Sequence, residues 1–199
     1  MDDTPRRETY GASYGGPGIW QGLYIGGHGA YVTGSAWPTG TYDTVDFSGG
    51  GLGLHGGYNF QRYNWVFGLE ADGDWSNASG SRTFVDPATV NAGMNWNSSF
   101  RLRAGYAVDN LLFYATGGIA LGNFDLSVST PTVASGFNKT TAGYVVGGGI
   151  EMKFARNWSG RVEALYYGFN SDTFNFASGA VPVDLGVTTV RAGITYHFN

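Results

Sequence analysis

The chain has no cysteine. Disulfide staples, thiolate metal centres and cysteine-based redox chemistry are therefore excluded. Charge is scarce as well: Asp, Glu, Lys and Arg supply 13% of the residues, about half the share of a soluble domain. No apolar run reaches the roughly 18 residues that a membrane helix requires. The net charge is −4 and the few bases form no stripe, so there is no surface to neutralise nucleic-acid phosphates.

Glycine and aromatics fill the space these absences leave. Among 199 residues there are 34 Gly, and aromatics reach 16%, while mean hydropathy is only −0.15. A membrane β-barrel reconciles these values, because apolar and polar side chains alternate along each strand and hydropathy averages out.

Period-2 alternation dominates the chain, and long 3.6-residue periodicity is absent. It predicts eight strands, over 20–33, 48–60, 64–76, 94–107, 111–123, 141–154, 158–170 and 186–198. Tight turns fall at Gln61-Arg62-Tyr63, Asp109-Asn110 and Ala155-Arg156-Asn157. Segments 34–47, 77–93, 124–140 and 171–185 are rich in Ser, Thr, Asn, Gly and Pro and read as long loops. Short turns at one rim and long loops at the other is the pattern of an outer-membrane barrel, all-β, antiparallel and up-and-down. Residues 1–19 carry no apolar export segment. The expectation is an export signal already removed, a flexible periplasmic tail over 1–19, and one barrel domain over 20–199.

The two faces of the strands sort cleanly. On strand three Trp65, Phe67, Leu69, Ala71 and Trp75 oppose Glu70, Asp72 and Asp74; on strand four Trp96, Phe100, Leu102, Ala104 and Tyr106 oppose Arg101 and Arg103. Strands six, seven and eight set apolar faces against Glu151 and Lys153, Arg161 and Glu163, and Arg191. The charged face thus balances five acids with five bases, and the apolar face of these strands holds none. A Lys or Arg facing lipid at mid-bilayer costs roughly 2–4 kcal/mol, which explains the exclusion if the apolar face looks outward. Glycines sharing the charged face, such as Gly53, Gly57, Gly68 and Gly149, leave room for these side chains in a narrow lumen.

Aromatics gather near strand ends on the apolar face. Phe60, Trp65, Tyr106, Phe154, Trp158, Tyr196 and Phe198 fall at the short-turn rim; Tyr31, Trp75, Trp96, Tyr144 and Tyr166 fall toward the other. Two such girdles match the two membrane interfaces. Periodicity alone also permits the inverse, a soluble lipocalin-like barrel with its charges in water. The girdles, the glycines and the low total charge select the membrane orientation.

Other motifs carry less. Gly51-x-Gly53-x-x-Gly56 matches a dinucleotide fingerprint by letter, but alternation continues through it to Phe60 and no helix follows. His28 and His55 share the inward face of adjacent strands and read as hydrogen-bonded lumen histidines, with no third ligand evident; His197 reads as a rim residue. Glu70, Asp72 and Glu163 opposite Arg101, Arg103 and Arg161 read as structural ion pairs, and no nucleophile arrangement stands out. The expectation is a non-enzyme without cofactor.

Several stretches carry a family likeness: Trp20-Gln-Gly-Leu-Tyr-Ile-Gly-Gly, Trp65-Val-Phe-Gly-Leu-Glu-Ala-Asp, Arg101-Leu-Arg-Ala-Gly-Tyr, Tyr114-Ala-Thr-Gly-Gly-Ile-Ala, Arg161-Val-Glu-Ala-Leu-Tyr-Tyr and Val190-Arg-Ala-Gly-Ile-Thr-Tyr-His-Phe. Together they resemble the small outer-membrane barrel ("porin family") proteins of alphaproteobacteria, a group that includes surface antigens and haemin-binding proteins. The resemblance implies a Gram-negative outer-membrane location and lipid as surroundings. It also implies recognition of the last strand by the assembly machinery through a terminal aromatic, which Phe198 matches although Asn199 follows. The expected role is structural support and surface display, with loops able to meet a surface ligand. The alternatives are a narrow channel for ions or small solutes, and haemin binding with Trp37, Tyr42 and Phe137 as candidate stacking aromatics.

Overall fold

A computed structural model describes residues 18–38, 45–83, 89–129, 134–176 and 179–198. Eight strands are formed: β1 (Gly22–Pro38), β2 (Val45–Arg62), β3 (Trp65–Thr83), β4 (Thr89–Val108), β5 (Leu111–Ser129), β6 (Ala134–Lys153), β7 (Trp158–Phe176) and β8 (Gly179–His197). Each pairs antiparallel with its sequence neighbour, and β8 returns to β1 to close the barrel. Closure leaves no unpaired edge, which a strand structure in lipid requires. The described residues begin and end at the short-turn rim, where the Phe198 N–H donates to the Leu23 carbonyl at 3.0 Å.

The strands run further than alternation predicted. Most of the expected loops 34–47, 77–93, 124–140 and 171–185 is strand: β3 continues to Thr83, β4 begins at Thr89, β5 reaches Ser129 and β7 reaches Phe176. The reason is the face these residues occupy. Ser, Thr and Asn favour turns when nothing opposes them, but here exposed Asn77, Ser79 and Asn91 alternate with buried Phe47, Ala78, Met94 and Phe124 packed inside. The expected tail 1–19 falls outside the described residues up to residue 17, as do the connections 39–44, 84–88, 130–133 and 177–178.

At the other rim an asparagine closes each turn. Asn64 Nδ2 donates to the Ala107 carbonyl at 2.8 Å, Asn110 Nδ2 to that of Lys153 at 3.1 Å, and Asn157 Nδ2 to that of His197 at 2.8 Å. In return the backbone N–H of Ala107, Lys153 and His197 donates to the carbonyls of Asn64, Asn110 and Asn157. Each turn is thereby clasped to the next hairpin. Tyr63 and Asp109 begin the two tighter turns with φ of 55° and 51°, a left-handed conformation that side chains other than Gly adopt at a cost.

Candidate functional site

The lumen is the candidate site, and it is stacked in three layers. At the short-turn end Trp20 folds under the barrel mouth. Its backbone N–H donates to Gln61 Oε1 at 2.9 Å, and its ring packs with Val66, Ala107, Leu112 and Tyr114 as an apolar plug. The indole also stands edge-on to His197, with ring centroids 5.7 Å apart. His197, expected at the rim, is therefore buried and lies 3.1 Å from Glu151 Oε1. Lys153 sits at the same level, donating to the Arg156 carbonyl at 3.2 Å with its ammonium 5.6 Å from the Trp20 ring.

The middle layer is ionic. Glu70 on β3 binds Arg101 across the β3–β4 ladder and reaches Arg161 on β7 at 2.6 Å and the Tyr24 hydroxyl on β1 at 2.9 Å. Arg103 pairs with Glu151, and Arg101 continues to Asp72 at 3.2 Å and Glu163 at 3.3 Å. Arg191 on β8 joins Asp72 at 2.9 Å and also binds Asp74 and the Tyr167 hydroxyl. Ser99 donates to Asp72, Ser159 to Glu151 at 2.6 Å, and Tyr114 to Glu163 at 3.2 Å. Every acid thus meets a base or a hydroxyl from another strand, which a buried charge requires. These partners cross the lumen, so strands far apart in sequence are tied to one another.

Two histidines extend the network across the closing seam. His28 Nε2 lies 2.6 Å from Asp74 Oδ1, His28 Nδ1 lies 3.1 Å from His55 Nδ1, and His55 Nε2 lies 2.9 Å from Thr195 Oγ1. The Asp74 carboxylate only accepts, so His28 carries a proton on Nε2; the contact between the two Nδ1 atoms then needs one donor and one acceptor. This relay links β1, β2, β3 and β8. Among the described residues no group of His, Asp and Glu is placed to hold a metal ion. The letters of the Gly51-x-Gly53-x-x-Gly56 pattern lie within β2. A Cβ at Gly53 would stand 2.5 Å from Asp74 Oδ1, and one at Gly149 would stand 2.7 Å from the Tyr114 hydroxyl, so both glycines are demanded by the crowd inside.

Above the charges lies a second apolar plug. Val32, Phe47, Ala78, Met94, Phe124, Val145, Leu165, Tyr167, Phe169 and Val187 form one cluster to which all eight strands contribute. Sequence reasoning missed this layer and Trp20. The signal was present, since Leu165, Tyr167 and Phe169 keep the parity of Arg161 and Glu163.

Outside, the apolar band is exposed. Phe67, Leu69, Phe100, Leu102, Phe113, Ile119 and Ile150 all face out, Leu102 with 65% of its surface open. At the short-turn end Phe60, Trp65, Tyr106, Phe154, Trp158 and Phe198 are exposed and Tyr196 is half-buried. Contacts run along this rim: Trp65 on Tyr106 at 5.3 Å, Trp158 on Tyr196 at 5.0 Å and Tyr196 on Phe198 at 5.1 Å. Toward the other end Tyr31, Trp75, Tyr144 and Tyr166 are exposed and Trp96 is half-buried opposite Trp75. About 33 Å of strand separates Trp65 from Trp75, or about 25 Å along the membrane normal at a typical tilt, which is the height of a barrel's lipid-facing band. Beyond Trp75 the outward residues turn polar, as at Asn77, Ser79, Asn91, Asn95 and Asp125. Tyr42 and the side chains of Trp37 and Phe137 lie outside the described residues.

Comparison with known proteins agrees with this geometry. The profile of the outer membrane protein beta-barrel domain matches residues 18–198. The 22 kDa outer membrane protein of Rhizobium leguminosarum bv. viciae is 33% identical over 181 residues, covering 91% of this chain and 79% of its own. The 25 kDa outer-membrane immunogenic protein of Brucella canis is 31% identical over 185 residues, covering 93% and 80%. Among solved structures, Neisserial surface protein A superposes with a TM-score of 0.50 at 12% identity, over 92% of this chain and 100% of that one. Ail of Yersinia pestis gives 0.50 at 14% identity, over 88% and 99%. At such identities the two structures speak for the fold alone. Relatives from Rhizobium and Brucella, a family match over nearly the whole described barrel and a closed eight-stranded architecture lead to one conclusion: the chain belongs to the outer-membrane β-barrel family of Gram-negative bacteria and resides in the cell outer membrane.

Proposed function

We propose that this protein is a non-enzymatic structural and surface-display barrel whose lumen is closed. The observation that carries the reading is the burial of the lumen's own lining. Arg101 and Glu151 are 0% exposed, Arg191 is 1% exposed, and the plugs above and below them include Val145 and Leu112 at 0%. A water-filled pore would leave such side chains accessible. Eight strands enclose a space that side chains can fill, and here they do so with a salt-bridge core capped at both ends.

In this reading the interior charges tie the strands together, and the two aromatic girdles set the barrel's height in the bilayer. The polar extension beyond Trp75, with its connecting segments, is the face presented to the surroundings. Relatives named as immunogenic outer-membrane proteins support surface exposure. Two hydroxyls do meet imidazoles, Ser159 with His197 and Thr195 with His55 at 2.9 Å each, but all four side chains are buried inside the lumen, out of a substrate's reach, and the protease among the structural neighbours shares only 10% identity. Assembly through the C-terminal strand with Phe198 completes the set of expected partners.

The test is conductance. Reconstituted into planar bilayers, the folded protein is expected to give no sustained current steps. Stable single-channel steps in the wild type would overturn the closed-lumen reading in favour of a narrow pore.

A further inference from the structure

We propose that the outer face of the collar just beyond Trp75 and Trp96 binds the sugar portion of a glycolipid in the outer leaflet. The site begins with two indoles that stand directly opposite each other on β3 and β4. Immediately beyond them both ladders slip: the register shifts between Trp75 and Ala78 on β3 and between Met94 and Trp96 on β4. Asn77 and Asn95 stand at these irregularities, without a partner in the described register of either flanking ladder. Bulges of this kind re-aim side chains and concentrate near functional surfaces. Here they open a cleft of about 260 Å³ lined by Asn77, Ser79, Asn91, Asn95, Asp125 and Ser127.

The lining is held in place before any ligand arrives. Asn95 Nδ2 donates to one oxygen of Asp125, and Asn138 Nδ2 donates to the other at 2.6 Å. Asn123 braces Asn138 at 2.8 Å, Asn91 donates to Ser127 at 3.2 Å, and the Gly50 N–H anchors Asn77 Oδ1 at 3.0 Å. Fixed amides, hydroxyls and a carboxylate offer both donors and acceptors, the groups that sugar hydroxyls can meet. The indoles of Trp75 and Trp96, which border the cleft without lining it, offer flat apolar surface for a ring that extends past its edge. The cleft carries one carboxylate and no base among its lining residues. Its chemistry therefore favours hydroxyl or amino groups over a phosphate.

Continuity with the bilayer surface decides where the sugar comes from. Below the indoles the same outer face presents Phe100, Leu69 and Ile119 to hydrocarbon. A ligand spanning both zones places acyl chains against these residues and its sugars in the cleft. A glycolipid has this shape; a free glycan or a phospholipid has half of it.

Native mass spectrometry of the full-length barrel in detergent tests the assignment with four probes. They are rough-type lipopolysaccharide, the same lipid stripped of its core sugars, the released core oligosaccharide, and phosphatidylethanolamine. Rough lipopolysaccharide is expected to bind at least about tenfold more tightly than each of the other three, a margin within reach of two or three hydrogen bonds. Asn95→Ala and Asp125→Asn are each expected to reduce that preference about three- to tenfold, while Thr188→Ala, exposed on β8 across the barrel, leaves it unchanged. Heat-modifiable migration reports folding. Should Asn95→Ala fail to fold, Asp125→Asn, which preserves shape, carries the test. Equal binding of the sugar-stripped lipid would reduce the contact to acyl chains and overturn the proposal. Equal binding of the free oligosaccharide would make the site one for soluble glycans and overturn its membrane source. Unchanged preference in both variants would overturn the site itself. Loss of conductance-free behaviour bears only on the closed lumen, so the two readings fail separately.

Discussion

Between Trp65 and Trp75, strand β3 turns Glu70, Asp72 and Asp74 inward and Phe67 and Leu69 outward. Beyond Trp75 the same strand buries Ala78 and exposes Asn77 and Ser79. The membrane zone is therefore polar inside and apolar outside, while the collar above it has the arrangement of a soluble barrel. One backbone architecture serves both because alternation fixes only that the two faces differ. The medium outside decides which face is apolar. Where lipid surrounds the barrel, charges retreat to the lumen and must find partners there. Where water surrounds it, the lumen becomes an ordinary hydrophobic core.

The sharpest way to break this comparison is to remove one charge from the membrane-zone lumen. Glu70→Leu leaves Arg101 and Arg161 without their shared carboxylate, and losing one partner of a buried pair costs about 3–5 kcal/mol. Urea unfolding in lipid vesicles should show a loss of that size, with slower or incomplete acquisition of the heat-modifiable form. A loss under about 1 kcal/mol would mean the charges are solvated after all.

The next contrast sets identical substitutions on the two outer surfaces. Leu102→Lys places a cation toward hydrocarbon and should cost about 2–4 kcal/mol. Ser79→Lys, on the outer face of the collar, should stay within about 0.5 kcal/mol of wild type. Equal costs would erase the boundary drawn at Trp75.

The smallest effect concerns the clasps at the short-turn rim. Asn64→Ala removes the side-chain hydrogen bond to the Ala107 carbonyl and should cost about 1 kcal/mol, measured by the same unfolding. It sharpens the comparison by separating rim closure from the charged layer, since no residue of that layer is touched.

The sequence spoke most clearly where lipid meets protein. Excluding charge from one face of strands three, four, six, seven and eight leaves a pattern with few physical explanations, and the pairing of Glu70 with Arg101 follows from their places on adjacent strands. It spoke least clearly in the collar. There Ser, Thr and Asn satisfy both a solvent-facing strand and a loop, so the strand ends at Thr83, Ser129 and Phe176 could not be told from turns. His197 does stand at the rim, at the end of β8, but its burial was not legible, because Trp20, from the far end of the sequence, covers it.

By itself, then, the sequence determined the number of strands, their antiparallel order and which face of the central band meets the bilayer, because these depend on a local period of two and on the cost of charge in hydrocarbon. Tertiary structure alone decided that the lumen is capped by two apolar plugs, that His28 and His55 bridge the closing seam, and that Asn77 and Asn95 converge with Asp125 in one cleft. Those features join residues from strands that meet only on closure, and no local pattern encodes which side chains will share the space inside a ring or the slip between two of its staves.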